Sequence, residues 1–164
     1  MAMEVINNFL IGGYFTIHTR YLDFETRSKD VIDITDKAAK AVEESGLSSG
    51  IAVLFVPGAT GALTTIEHET GLLQDLGEAL ERLAPQNIEY AHNERWHDGN
   101  GHSHIRASLI GPSITVPFLE GRLMLGTWQQ IVFLEMDQAQ KAKDRGFDDG
   151  GIAGVFGIPP EKFI

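Results

Sequence analysis

The chain has 164 residues, 43% of them hydrophobic, with no cysteine and a formal net charge of −10. That length suits one domain with a sizeable core, and the missing thiols exclude disulfides, thiolate metal sites and a cysteine nucleophile. The acidic balance repels a nucleic-acid duplex but is compatible with a small phosphorylated ligand held by a few local cations.

No apolar run approaches the roughly 18 residues needed to span a bilayer. The opening stretch carries no basic segment before its apolar part, so no secretory signal and a cytoplasmic location are expected. Residues 1–12 show no clear period. Residues 13–24 alternate, with Tyr14, Thr16, His18 and Arg20 opposite Phe15, Ile17, Thr19 and Tyr21, which predicts a strand with one wetter face. Residues 31–34 lead into a predicted helix over 35–45. Its inner stripe is Ile34, Ala38, Ala41 and Val42; Asp33 or Thr35 can cap it, and Gly46 can stop it in a left-handed conformation. Residues 51–56 form a short, continuous apolar run, the pattern of a buried central strand. The small-residue loop from Pro57 breaks that run. It lacks the lysine and spacing of a phosphate-cradling loop and reads as a turn. Residues 62–66 resume as a strand. Residues 70–84 make a second helix with Leu72, Leu73, Leu76, Leu80 and Leu83 on one side, ended by Pro85.

The stretch 90–111 is the most unusual part of the chain, because four of the six histidines lie between His92 and His104. A period of two over residues 103–110 predicts a strand. On it, His102, His104, Arg106 and Ser108 share one face, and Ser103, Ile105, Ala107 and Leu109 share a packed face. Two imidazoles at i and i+2 can reach one divalent ion. The plainer alternative is a surface strand whose histidines hydrogen-bond at an interface. Further strands are expected over 114–118, 123–125 and 131–136, separated by glycine-containing turns. Many short antiparallel neighbours with two main helices indicate an α+β domain over 1–137. Residues 138–164 begin polar and become glycine-rich, yet carry Ile152, Val155, Phe156 and Ile158, the composition of a docked extension.

Two acids, two tryptophans and a glutamine complete the candidates. Glu69 suits the first turn of the second helix, where the dipole favours acids. Glu67, at the strand end, can serve as a ligand or general base. Trp128 and Gln129 can line a pocket by stacking and hydrogen bonding, although packing alone would explain Trp128. Trp96 is a lid or a loop anchor. No Gly-x-Ser-x-Gly nucleophile elbow is present.

Residues 62–67 (Ala-Leu-Thr-Thr-Ile-Glu), 99–111 (Gly-Asn-Gly-His-Ser-His-Ile-Arg-Ala-Ser-Leu-Ile-Gly) and 121–129 (Gly-Arg-Leu-Met-Leu-Gly-Thr-Trp-Gln) together resemble the YjbQ-like family, also known as secondary thiamine-phosphate synthases. The likeness runs from about Tyr14 to Asp137. It implies a compact α+β β-sandwich of two mixed sheets that assembles as a homotrimer, with a pocket for a metal ion or an anion near a subunit boundary. The activity it implies joins a pyrimidine pyrophosphate to a thiazole phosphate, assisted by a divalent ion such as zinc, manganese or magnesium. By position, Glu67 matches the family's acid, His104 its most persistent histidine, Arg106 a basic position, His92 a histidine after Tyr-x, and Trp128 and Gln129 the Gly-Thr-Trp-Gln turn. On this basis His92, His102 and His104 are expected to hold the metal. Glu67 and Arg106 are the expected catalytic residues, and Arg106, Trp128, Gln129 and Asn100 are expected to contact substrate. Gly58 departs from the pattern, since many members carry a histidine there; His102 or His68 would have to compensate. Two other readings stay open: a non-enzymatic trimeric binder of a metal or phosphometabolite, and a metal-assisted hydrolase.

Overall fold

The computed structural model describes residues 6–11, 15–24, 26–137 and 150–158. Nine strands and four helices are placed among them. The larger sheet contains β1 (Ile6–Ile11), β2 (Phe15–Asp23), β4 (Ser49–Phe55), β6 (Ser113–Leu119), β7 (Arg122–Leu123) and β9 (Gly150–Ile158), in the order β1-β2-β9-β4-β6-β7. The smaller sheet contains β3 (Val31–Asp33), β5 (Gly61–Ile66) and β8 (Gln130–Glu135), in the order β3-β8-β5. Every described pairing is antiparallel, so the sheets are not mixed as expected. The α+β sandwich itself is present.

The alternation of β4 shows how the sandwich closes. Ala52, Leu54 and Val56 are buried, whereas Ile51 and Phe55 face outward. The buried set packs with Val116 and Phe118 of β6 and with Leu63, Ile131 and Phe133 of the smaller sheet. Helix α1 (Thr35–Ser45) adds Ala38, Ala41 and Val42 to this core. Its first turn is held by Asp33, whose Oδ1 accepts the Thr35 N–H at 2.9 Å, and it ends at Gly46 with φ 68°.

The other face of the smaller sheet carries a second core. Ala62, Val132, Leu134 and Met136 meet Leu80 of α2 (Thr70–Leu83) and Ala107 of α4 (Gly101–Ile110). Glu69 caps α2 by accepting the Gly71 N–H at 2.7 Å and the Leu72 N–H. The leucine stripe of α2 is only partly used: Leu80 is buried, but Leu83 at its end is 69% exposed.

Two further elements differ from the sequence-based expectation. Residues 91–96 form a short helix, α3 (Ala91–Trp96). The predicted strand over 103–110 is the helix α4, so its residues sort by a period of 3.6 rather than 2. Gly101, His102, Ser103, Arg106 and Ala107 are buried, while Ile105 and Leu109, expected to pack, are exposed. The pattern inverts because the small side chains let α4 approach β5 and the polar ones find partners there. Ser103 Oγ donates to the Met136 carbonyl at 2.6 Å. Arg106 donates from Nε and an Nη to the Ala84 carbonyl at 3.0 and 2.8 Å, and pairs with Glu81 at 2.5 Å. Buried polar groups with partners are as compatible with a core as apolar ones.

Candidate functional site

The close approach of α3 and α4 builds the site. Gly101 opens α4 directly against Tyr90; a Cβ there would lie 2.6 Å from the Tyr90 Cβ, so no other residue fits without a shift. The Gly101 N–H donates to Asn93 Oδ1 at 2.8 Å, which ties the two helices together. This juxtaposition places the His92 and His104 rings 4.3 Å apart, tilted by 50°. His92 Nε2 lies 3.3 Å from Asp98 Oδ2. A carboxylate only accepts, so Nε2 carries the proton and Nδ1 is left as the basic nitrogen of the neutral ring. The stretch therefore supplies two half-buried imidazoles, one of them oriented by an acid. Sequence pattern does not single out Asp98. The available signal was an acid shortly after a histidine-bearing turn, across the left-handed His97 that ends α3.

His102 belongs elsewhere. On a helix it points to roughly the opposite side from His104, on the same face as Arg106. It is 1% exposed. Its Nε2 lies 3.3 Å from Ser103 Oγ, whose one hydrogen is given to the Met136 carbonyl. His102 thus donates from Nε2, and its Nδ1 is buried with no hydrogen-bond partner among the described residues. Burial, and then the Arg106 charge, hold its pKa below the usual histidine value. The three histidines do not converge on one point. Among the described residues no group of three or more His, Asp or Glu is placed to hold a metal ion.

Asn100 is buried beside the pair and donates from Nδ2 to Asp137 Oδ2 at 3.1 Å; its Oδ1 is buried without a partner among the described residues. Arg106 does not face the imidazole pair. Its guanidinium ties the C-terminal end of α2, where the Gln86 N–H, and then Arg106, hold the Glu81 carboxyl below its ordinary pKa.

Glu67, Trp128 and Gln129 lie at the far end of the β5–β8 pair. Ile66 pairs with Gln130 at that end, and Gly61 pairs with Glu135 at the end next to α4. The five steps between these pairs span about 17 Å at a strand rise of roughly 3.4 Å. Gln129 donates to Thr65 Oγ1 at 2.9 Å and accepts the Gly126 N–H at 3.1 Å, which fixes the turn. Trp128 is 70% exposed on it. His68 follows that end, with its N–H on the Gln130 side chain and its ring reaching back to the carbonyl of Val31, the register partner of Leu134. A Cβ on Gly58 would meet only Val56 Cγ1, at 3.9 Å, so the fold there has room for a larger side chain that this chain does not carry.

A family model described as UPF0047 protein YjbQ-like matches residues 20–146. A UPF0047 protein of Methanothermobacter thermautotrophicus is 38% identical over 135 residues, 82% of this chain and 93% of its own. A UPF0047 protein of Archaeoglobus fulgidus is 42% identical over 108 residues, 66% of this chain and 82% of its own. The crystal structure of a YbjQ-like protein of Sulfolobus solfataricus superposes with a TM-score of 0.74 at 30% identity, covering 87% of this chain and 97% of that one. A YjbQ/UPF0047 structure from Clostridium acetobutylicum superposes at 0.69 with 34% identity, covering 84% and 98%. Over most of its length, in sequence and in fold, the chain belongs to the YjbQ-like UPF0047 family.

Proposed function

We propose that this chain binds a phosphorylated small molecule on the His92–His104 pair, in a trimer where a neighbouring copy's Glu67, Trp128 and Gln129 complete the pocket. The observation that carries the reading is the acid-oriented imidazole whose ring lies 4.3 Å from a second, tilted imidazole. When protonated, such a pair donates to phosphate oxygens; when neutral, His92 Nδ1 takes up a proton. The distance along β5–β8 supports a composite pocket, because one chain holds the two halves of the family motif too far apart to touch a single small ligand. An assembly face is available. Tyr21, Ile51, Phe55 and Leu119 are exposed on the outer side of the larger sheet, 38% to 52% accessible, and Ile51 and Pro117 are register partners there. Exposed apolar side chains on one sheet face suit an interaction surface.

The family name states no reaction, and the transferase reading rests on the resemblance. In it, the thiazole nitrogen forms a bond to the pyrimidine methylene carbon, and the pyrophosphate leaves with the electron pair of the broken C–O bond. Protonated His92 and His104 would neutralise that departing charge, with Glu67 orienting the ring to be alkylated. Arg106, bound to Glu81 and Ala84, takes no part.

Calorimetric titration with inorganic pyrophosphate tests the binding claim. Wild type is expected to bind, and His92→Gln and His104→Gln to lose at least about tenfold each. Equal affinity in all three would overturn the site. Product formation from the two thiamine precursors then separates an enzyme from a binder. Light scattering tests the assembly: a trimer is expected, with Phe55→Glu dissociating it, and a monomeric wild type would remove the composite pocket.

A further inference from the structure

A second recess lies on the opposite side of Arg106. A cleft of about 420 Å³ opens between α2 and the smaller sheet, and neither His92 nor His104 lines it. Its floor is apolar: Val31, Leu134 and Met136 from the sheet, with Leu76 and Leu80 from the helix. Its rim is charged, with Asp30, Glu78, Glu81 and Glu135 against Lys29 and Arg106. This combination of size, apolar lining and a few polar groups is that of a small-molecule site.

Gly77 is an independent sign. It lies within α2 and lines the cleft. Glycine weakens a helix interior relative to alanine. No neighbour requires it here, since a Cβ at Gly77 would meet nothing within 4 Å. Its effect in the folded chain is to keep the helix wall of the cleft open.

The charges then decide the class of ligand. Arg106 is held by Glu81 and the Ala84 carbonyl, so it is not available as an anion clamp, and Lys29 stands against the four acids Asp30, Glu78, Glu81 and Glu135. Glu81 accepts the Gln86 N–H and Arg106, and Glu135 accepts Thr26 Oγ1 and the Asp137 N–H; these two supply charge rather than contacts. Asp30 accepts the Arg27 N–H at 2.8 Å, and Glu78 accepts Gln74 Nε2 at 3.0 Å, with Arg82 at 3.7 Å outside the cleft. Carboxylates keep further lone pairs for a donor. We propose that the cleft binds a small organic cation, an ammonium carried on a ring-sized apolar body. The ring lies on the Val31–Leu134–Met136 floor, and the charge faces Asp30 and Glu78.

The test is an NMR titration of the ¹⁵N-labelled full chain with 2-phenylethylammonium and, in parallel, phenylacetate. The amine is expected to shift the amides of Gly77, Leu80 and Leu134 saturably, and phenylacetate to bind at least about tenfold more weakly. Gly77→Leu, which fills the open wall with a strong helix former, is expected to keep the folded spectrum and lose the amine at least about tenfold. The pair Asp30→Asn with Glu78→Gln keeps the shape and removes the charge, and is expected to erase the preference for the amine over phenylacetate. Phenylacetate binding as tightly to the wild type, shifts mapping to another surface, no saturable shift up to about 10 mM, or an unchanged affinity in Gly77→Leu would each overturn the proposal. Should Gly77→Leu lose its folded spectrum, the charge pair decides alone: a preserved amine preference sinks the assignment.

Discussion

Helices α1 and α4 are of similar length and each closes one of the two cores, yet they do so with opposite chemistry. Helix α1 buries Ala38, Ala41 and Val42 and leaves Lys37, Lys40 and Glu43 outside. Helix α4 buries His102, Ser103 and Arg106 and leaves Ile105 and Leu109 outside. The first helix is held by apolar area removed from water. The second is held by close approach and by a small set of hydrogen bonds that must all be made. A helix of the second kind is tuned to orient side chains, and α4 is the one that presents His104 to His92.

Four measurements sharpen or break this contrast. The largest effect is expected at the head of α1, where Ile34 is 1% exposed. Ile34→Ala should cost about 2–5 kcal/mol in denaturant unfolding, because it leaves a cavity between the helix and Ile131. A smaller value than any α4 substitution would reverse the comparison. Next is Ser103→Ala, which removes only the hydroxyl and strands the buried Met136 carbonyl; about 1–3 kcal/mol is expected.

The third is a pH effect read at His102. Burial holds its folded pKa below the ordinary value, so the unfolded chain binds the proton more readily. Stability is therefore complete above about pH 6.5 and falls as the pH drops below that unfolded value. His18 is shifted the same way by burial and by Arg20, and adds to the slope. Melting of the His102→Gln variant between pH 8 and 5 should fall less steeply than that of the wild type; an equal slope would show that His102 is not held neutral. The smallest effect is expected on the exposed side of α4, where Ile105 is 46% accessible. Ile105→Ala should change stability by no more than about 0.5 kcal/mol.

The same contrast explains what was legible beforehand. Helix α1 could be read because its inner stripe is apolar and Gly46 marks its end. The cap of α2 at Glu69 followed from the preference for acids at a helix start. Helix α4 could not be read, because hydrophobicity was the guide to burial and here the buried residues are histidine, serine and arginine. Its Ala-Ser-Leu run suits either period, and only the tertiary partners Met136 and Ala84 select the helix. At the candidate site, the stretch holding His92 and His104 stood out by its histidine content, and Asn100 entered only through the family resemblance. The separation of Glu67, Trp128 and Gln129 from them was not, since it depends on the β5–β8 register. Strand β9 was obscured by its glycines, which are poor strand formers.

That strand has a further consequence. In the larger sheet β2 and β4 do not pair with each other; each pairs with β9, so that Gly154 has Thr19 on one side and Val53 on the other. The smaller sheet can close once residue 135 has left the ribosome, but the larger one stays in two pieces until residue 158 follows. During that interval the chain exposes two unpaired edges that fit the same strand, the condition in which copies exchange strands or aggregate. Folding should therefore be slow for a chain of this size, limited by a distant pairing rather than by its helices.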